Sequence, residues 1–220
     1  MAPSTVYVVD DDPGIRRALE RLLGAAGFRS LTFGSATAYL AGEDPEVAGC
    51  VVLDVTLPDL DGLGLQRRMA ESGRDRPIVF ISACGSIPLS VRAMRAGAVT
   101  FLTKPVTERE LLPAVREAVA IDRQWRRARE DRSVVQAHIG SLTPREREVM
   151  EHIVKGLLNK QIAAALGTVE QTVKVHRARV MKKMAARSVA ELVRLATLAW
   201  SWPAHSVPVP DRREPRSDNN

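Results

Sequence analysis

The stretch Val6-Tyr7-Val8-Val9-Asp10-Asp11-Asp12-Pro13 decides how the first half of the chain reads. Its β-branched and aromatic residues form a short strand signal, and the aspartates end it. Asp12 followed by Pro13 is an N-cap with proline in the first helical turn. Beyond it the apolar residues Ile15, Ala18, Leu19, Leu22, Leu23 and Ala26 recur at helical spacing. The same alternation continues downstream. Further strands are expected at 28–33, 51–53, 77–82 and 99–102, with helices near 35–41, 62–71, 86–96 and 107–120. Five short apolar strands with helices between them predict an α/β unit, a doubly wound five-stranded parallel sheet covered on both faces. In such sheets the reactive crevice lies at the carboxyl ends of the strands.

At those ends stand Asp10 and Asp11 after the first strand, Asp54 after the third, Ser82 at the fourth and Lys104 after the fifth. Carboxylates crowded into one crevice raise one another's pKa unless a cation neutralises them. A hard divalent ion, Mg2+, suits a ligand set of carboxylates, a backbone carbonyl and water. A carboxylate beside that ion can attack phosphorus, because the ion neutralises charge on the transferring group. Lys104 adds a second positive charge, and Ser82 a hydroxyl donor to a phosphoryl oxygen. Asp12, Asp59 and Asp61 read instead as helix caps or turn residues. Cys84, two residues past Ser82, reads as a small buried or half-buried hydrophobe.

Hydrophobic residues make up 45% and charged residues 26% of the 220, an ordinary globular balance. No apolar run approaches the roughly 20 residues that span a bilayer, and the first residues show no secretory pattern. Two cysteines exclude a disulfide scaffold or a Cys-based zinc site. A cytoplasmic protein without a membrane partner is expected.

The charge is unevenly divided. Residues 1–120 carry 13 basic and 15 acidic groups, whereas 141–202 carry 11 and 5, a net of +6 on a block of domain size. Residues 121–140 read as a charged helical linker, and the proline-rich stretch 203–220 as a disordered tail. The basic block shows no strand pattern. It predicts an all-α unit of four helices, near 144–155, 159–166, 170–184 and 188–200. Thr143 with Glu146 forms a capping box, and Pro144 sits in the first turn. On helix 170–184 the inward set is Val173, Val180 and Met184, while Lys174, Arg177, Arg179, Lys182 and Lys183 occupy its other faces. Two short helices joined by a glycine turn, the second cationic, make a helix-turn-helix suited to a phosphate backbone and a major groove. In the last helix Leu195 and Leu198, with Trp202 beyond, suit either a dimer contact or packing on the linker.

The ordered set Val8-Val9-Asp10-Asp11-Asp12, Leu53-Asp54-Val55-Thr56-Leu57-Pro58-Asp59, Ile81-Ser82-Ala83 and Lys104-Pro105 resembles a response-regulator receiver domain over about residues 4–120. The resemblance implies phosphorylation of Asp54 by a sensor histidine kinase or a small phosphodonor. It implies Mg2+ on Asp11, Asp54 and the main-chain carbonyl of Thr56, with Asp10 assisting. It implies Ser82 and Phe101 as a switch pair and a cis peptide before Pro105. Leu142-Thr143-Pro144-Arg145-Glu146, Asn159-Lys160-Gln161-Ile162-Ala163 and Thr172-Val173-Lys174-Val175-His176 are similar to the LuxR-type DNA-binding domain. The whole of residues 4–200 thus resembles the FixJ–NarL group of response regulators. By that resemblance Lys174 and Val175 face bases, and Thr172, His176, Arg179, Lys160 and Lys183 lie nearer the DNA backbone. Ala178 stands where some members place a further base-contacting lysine. Val169 stands where a polar N-cap is usual, so Thr168 is expected to cap that helix instead.

The expected function is a two-component, DNA-binding transcription regulator in which phosphorylation of Asp54 promotes homodimerisation and sequence-specific binding to double-stranded DNA, with RNA polymerase as a further partner. The alternative is a constitutive DNA-binding regulator whose receiver only docks a protein. No enzymatic turnover is expected. Many phosphotransferases that use an aspartate nucleophile place a second acid two residues on, where this chain has Thr56.

Overall fold

The computed structural model describes residues 4–200 except Asp75 and Cys84. The expectations for Cys84, for Trp202 and for the 203–220 tail lie outside the described residues. The chain divides into two compact units between Arg126 and Arg127.

In the first unit, β1 (Thr5–Val9), β2 (Arg29–Phe33), β3 (Gly49–Asp54), β4 (Ile78–Ser82) and β5 (Thr100–Thr103) form one parallel sheet in the order β2-β1-β3-β4-β5. Helices α1 (Pro13–Ala25), α2 (Ala36–Gly42), α3 (Gly62–Glu71) and α4 (Ile87–Arg95) connect the strands, and α5 (Glu108–Gly140) follows β5. Strand side chains alternate between two faces, so each strand feeds two cores. Val6, Val8, Val52, Val79 and Ile81 pack with Leu19, Leu23, Leu111, Val115 and Val119. Tyr7, Val9, Val51, Leu53 and Phe80 pack with Tyr39, Leu65, Met69 and Ala93 on the other side. This is why the central strands read as continuous apolar runs rather than as alternating ones.

The caps follow the sequence closely. Asp12 accepts from the amides of Gly14 and Ile15 at the start of α1, and Asp61 accepts from Gly64 at the start of α3. Asp59 also caps a helix, but a distant one: its carboxylate accepts from the Ala36 and Thr37 amides of α2 at 3.1 and 2.8 Å.

At the amino-terminal edge of the sheet, α5 is fastened to the segment before β3. Asp122 is buried and accepts from the Gly49 amide at 2.8 Å and from Arg126 Nε at 2.9 Å. Arg126 in turn donates to the carbonyls of Pro45, Glu46 and Val47 at 2.8–2.9 Å. Gly49 is required at this join, since a Cβ there would lie 1.8 Å from the Thr5 carbonyl oxygen. The α5 helix is continuous from Glu108 to Gly140. Its contacts with the first unit therefore reach Arg126, beyond the 1–120 range expected for that unit.

The second unit holds α6 (Pro144–Val154), α7 (Asn159–Ala165), α8 (Glu170–Lys183) and α9 (Val189–Trp200). Val135, Leu142, Val149, Met150, Ile153, Ile162, Val173, Val180, Met184 and Leu192 build one core. Leu195 and Leu198 are partly buried and pack against that core. Val169 occupies the N-cap of α8 with no side-chain hydrogen bond. Thr168 is therefore not the cap, because the chain turns helical only after Val169.

Asp122→Ala removes a shared acceptor and leaves the Gly49 amide and the Arg126 guanidinium without it. Breaking a buried pair of this kind typically costs about 3 kcal/mol, and the expected reading is a lower urea midpoint for the first unit of the full chain. An unchanged midpoint would show that the fastening is dispensable.

Candidate functional site

The carboxyl ends of the strands bring together the residues expected there. Asp10 is fully buried just after β1, Asp54 closes β3 at 4% exposure, and Asp11 is exposed. Lys104, after β5, donates from Nζ to Asp10 Oδ2 and to Asp54 Oδ2, each at 2.7 Å. The other Asp54 oxygen accepts from the Thr56 amide at 3.2 Å, and the other Asp10 oxygen from the Asp12 amide at 2.9 Å. Burial pushes the Asp10 carboxyl above its ordinary value, against the pull of Lys104 and the Asp12 amide. Burial alone would lower Lys104, but its hydrogen bonds to Asp10 and Asp54 outweigh that and hold it above the usual lysine value.

One oxygen from each of Asp10, Asp11 and Asp54 lies within 4.8 Å of the others. Two buried hard donors and one exposed one fit a hydrated Mg2+, which keeps several waters and takes only a few carboxylates. Ser82 is buried at the end of β4, and its carbonyl accepts from the Lys104 amide at 2.8 Å. Phe101 in β5 is half-buried, with its ring 6.3 Å from that of Phe80. The Lys104–Pro105 peptide is cis. Arg16, a residue that sequence reasoning passed over, donates from Nη1 to the Asp10 and Asp11 carbonyls at 2.6 and 2.9 Å. In the sequence it is one of several arginines on a helix, and nothing marks it as different.

The second unit offers a cationic helix. On α8, Lys174 and Arg179 are exposed, Val175 is 43% exposed, and Thr172 and His176 are half-buried. Lys160 on α7 is exposed. The ion pair between Lys174 and Glu170, at 3.5 Å, is exposed on both sides and weak enough to exchange for another partner. Arg177 donates to Asn159 Oδ1 at 3.3 Å and Arg145 to the Leu166 carbonyl at 2.6 Å, which tie α8 to α7 and α7 to α6. The Nδ1 of His176 is buried with no hydrogen-bond partner among the described residues, so that side of the ring faces packing.

Lys183, expected near the DNA backbone, is engaged elsewhere. Its ammonium lies 2.6 Å from Glu146 Oε2 and donates to the Ser141 carbonyl at 2.9 Å. Glu146 also completes the capping box by accepting from the Thr143 amide at 2.9 Å. These bonds, Lys183 first, hold its carboxyl down at about 2.

Comparison with known proteins covers both units. Residues 6–116 match the response regulator receiver domain, and residues 140–196 match the luxR family of bacterial regulatory proteins. Nodulation protein W of Bradyrhizobium diazoefficiens is 46% identical over 191 residues, 87% of this chain and 84% of that protein. Transcriptional regulatory protein FixJ of the same organism is 43% identical over 197 residues, 88% of this chain and 95% of that one. The solved structure of response regulator StyR is 45% identical with a TM-score of 0.77, covering 89% of this chain and 98% of that chain.

The Glu146 carboxyl stands at 4.5 when unperturbed and at about 2 in the fold. Its contribution to stability is therefore complete above pH 4.5 and fades as pH falls towards about 2. Lys183→Met is expected to flatten that acid limb for the second unit, measured by thermal melts from above pH 4.5 down to about 2, the range the shift spans. An acid limb identical to that of the parent would remove the pair from the account.

Proposed function

This chain belongs to the two-component response regulators that join a receiver domain to a LuxR-type DNA-binding domain, and on that premise we propose that Asp54 is its phosphoacceptor and that phosphorylation there governs how α8 engages DNA. Histidine kinases supply the phosphoryl group to receivers, and LuxR-type domains bind DNA. The observation that carries the assignment is the pair of 2.7 Å contacts from Lys104 to Asp10 and Asp54. They mark Asp54 as a carboxylate already poised against a cation at the mouth of the sheet.

In this reading an Asp54 oxygen attacks phosphorus as the bond to the donor nitrogen or acyl oxygen breaks. Lys104 releases one carboxylate and pairs with the new phosphoryl oxygens. Mg2+, held by Asp10, Asp11, Asp54 and the Thr56 carbonyl, would neutralise charge on the transferring group. Ser82 turns its hydroxyl to a phosphoryl oxygen, and Phe101 follows inward. The outer face of α4 and β5 then dimerises; Ile87 at 76%, Val91 at 41% and Met94 at 37% exposure supply an apolar surface there. A dimer engages two related half-sites, which raises avidity without new contacts, and recruits RNA polymerase.

On DNA, Lys174 and Val175 face base edges, and Lys160, Thr172, His176 and Arg179 lie nearer the phosphates. Lys183 is read as a structural clamp on α6 rather than as a phosphate contact.

Acetyl phosphate with Mg2+ should place one acid-labile phosphate on the parent and none on Asp54→Asn. Affinity for a duplex selected from a random pool should rise about tenfold with phosphodonor, about 1.4 kcal/mol, in the parent alone. Equal affinity in both states would favour the constitutive alternative.

Base readers and phosphate contacts should separate. Lys174→Ala is expected to cost about 1–3 kcal/mol and to relax the selected sequence at one position. Arg179→Ala should instead weaken all duplexes alike and reduce the slope of log affinity against log salt by about 0.9. Identical profiles for the two variants would overturn the division.

A further inference from the structure

We propose that Arg16 is a positioning residue for the cation site, holding the acidic loop in the one backbone orientation that aims its carboxylates at the crevice. The proposal rests on the reading of Asp10, Asp11 and Asp54 as a Mg2+ site and adds to it a residue that touches neither the cation nor the phosphoryl group.

The geometry runs through one peptide plane. Arg16 stands in the first turn of α1, half-buried, with Nη1 donating to the Asp10 and Asp11 carbonyls at 2.6 and 2.9 Å. In a trans peptide the carbonyl and the following N–H point in opposite directions. Fixing the Asp11 carbonyl towards Arg16 therefore aims the Asp12 amide the opposite way, and there it donates to Asp10 Oδ1 at 2.9 Å. That bond orients the Asp10 carboxylate, whose other oxygen receives Lys104 at 2.7 Å. The guanidinium thus sets the Asp10 carboxylate through two intervening groups, and it fixes the backbone from which the Asp11 side chain leaves.

The space for Arg16 is provided by Gly34, just past β2. A Cβ on Gly34 would lie 3.3 Å from Arg16 Nη1, so the guanidinium crosses directly over this glycine. The end of β1 is held beside it by the Asp10 amide, which donates to the Phe33 carbonyl at 3.1 Å. An arginine suits the task because one of its terminal nitrogens carries two hydrogens in a fixed plane, one for each carbonyl. A lysine is shorter and presents its donors from a freely rotating point.

Groups that orient metal ligands from behind typically contribute about 10–100-fold to metal affinity. The test is Mn2+ binding to the full chain, followed by the loss of the free-ion electron paramagnetic resonance signal. Arg16→Met, which keeps an unbranched stem but has no donors, should weaken Mn2+ binding by about tenfold or more. Arg16→Lys should fall between it and the parent. Gly34→Val, with Arg16 intact but displaced, should move in the same direction as Arg16→Met. With acetyl phosphate, the Mg2+ concentration for half-maximal phosphorylation should rise while the rate at saturating Mg2+ holds.

An Arg16→Met chain that binds Mn2+ within about twofold of the parent, well short of that range, overturns the inference and leaves the cation site standing. Should that variant fail to fold, unchanged affinity in both Arg16→Lys and Gly34→Val overturns it equally. A parent chain that takes up no Mn2+ at all overturns the cation reading itself, and the inference falls with it.

Discussion

Lys104 places one ammonium between two carboxylates, 2.7 Å from each, and the first unit is organised to keep it there. Asp10 is fully buried and Asp54 nearly so, and two such anions side by side are unfavourable unless a cation shares them. Parallel strand order alone brings them close, because β1 and β3 are neighbours with Val9 opposite Leu53. The apolar layers on both faces fix that register, so a polar site at the sheet edge is positioned by packing many residues below it. The arrangement is also asymmetric. Lys104 draws on one oxygen of each carboxylate, while backbone amides hold the other two. A group arriving at Asp54 therefore meets a cation that has somewhere else to go, namely Asp10.

The second unit handles its charge differently. Its positive groups are not equivalent, because some are committed to the fold and some are left exposed. Lys183 is neutralised by Glu146 within the capping box of α6, and Arg145 and Arg177 are spent on joining successive helices. Lys160, Lys174 and Arg179 remain on the surface. Counting charges overstates the number available for phosphates, and only side-chain partners separate the two groups.

Much of this was legible in the sequence, for definite reasons. Asp10, Asp11, Asp54, Ser82 and Lys104 each follow a short apolar run, and a parallel sheet collects the ends of such runs at one edge. The inward residues of α8 could be read because helical periodicity survives the surrounding charge. What stayed hidden depends on partners far away in the chain. Asp122 accepts from Gly49, 73 positions earlier, and in the sequence it is one more charge in a charged stretch. The helical pattern runs unbroken through 120, so the reach of α5 to Arg126 is set by the carbonyls of 45–47 and not by any local signal. Thr168 has the chemistry of a cap, but backbone dihedrals put the turn one residue later, at Val169. Arg16 and Lys183 look like neighbouring surface cations until their acceptors are seen.

The loop from Asp54 to Asp61 is pinned at three points by three aspartates. Asp54 is held in the crevice, Asp59 sits on the amides that open α2, and Asp61 accepts from the Gly64 amide in the first turn of α3. Hydrogen bonds from Thr37 and the Ala36 amide hold the Asp59 carboxyl down at about 2, so that pin stays ionised well below neutral pH. Ordering a free backbone costs roughly 1–2 kcal/mol per residue. A loop with so few arrangements left to lose has met most of that cost during folding. Its rim is preorganised, so on the proposed reading a small, weakly gripping phosphodonor need contribute little of its own binding energy to shaping the surface on which it lands.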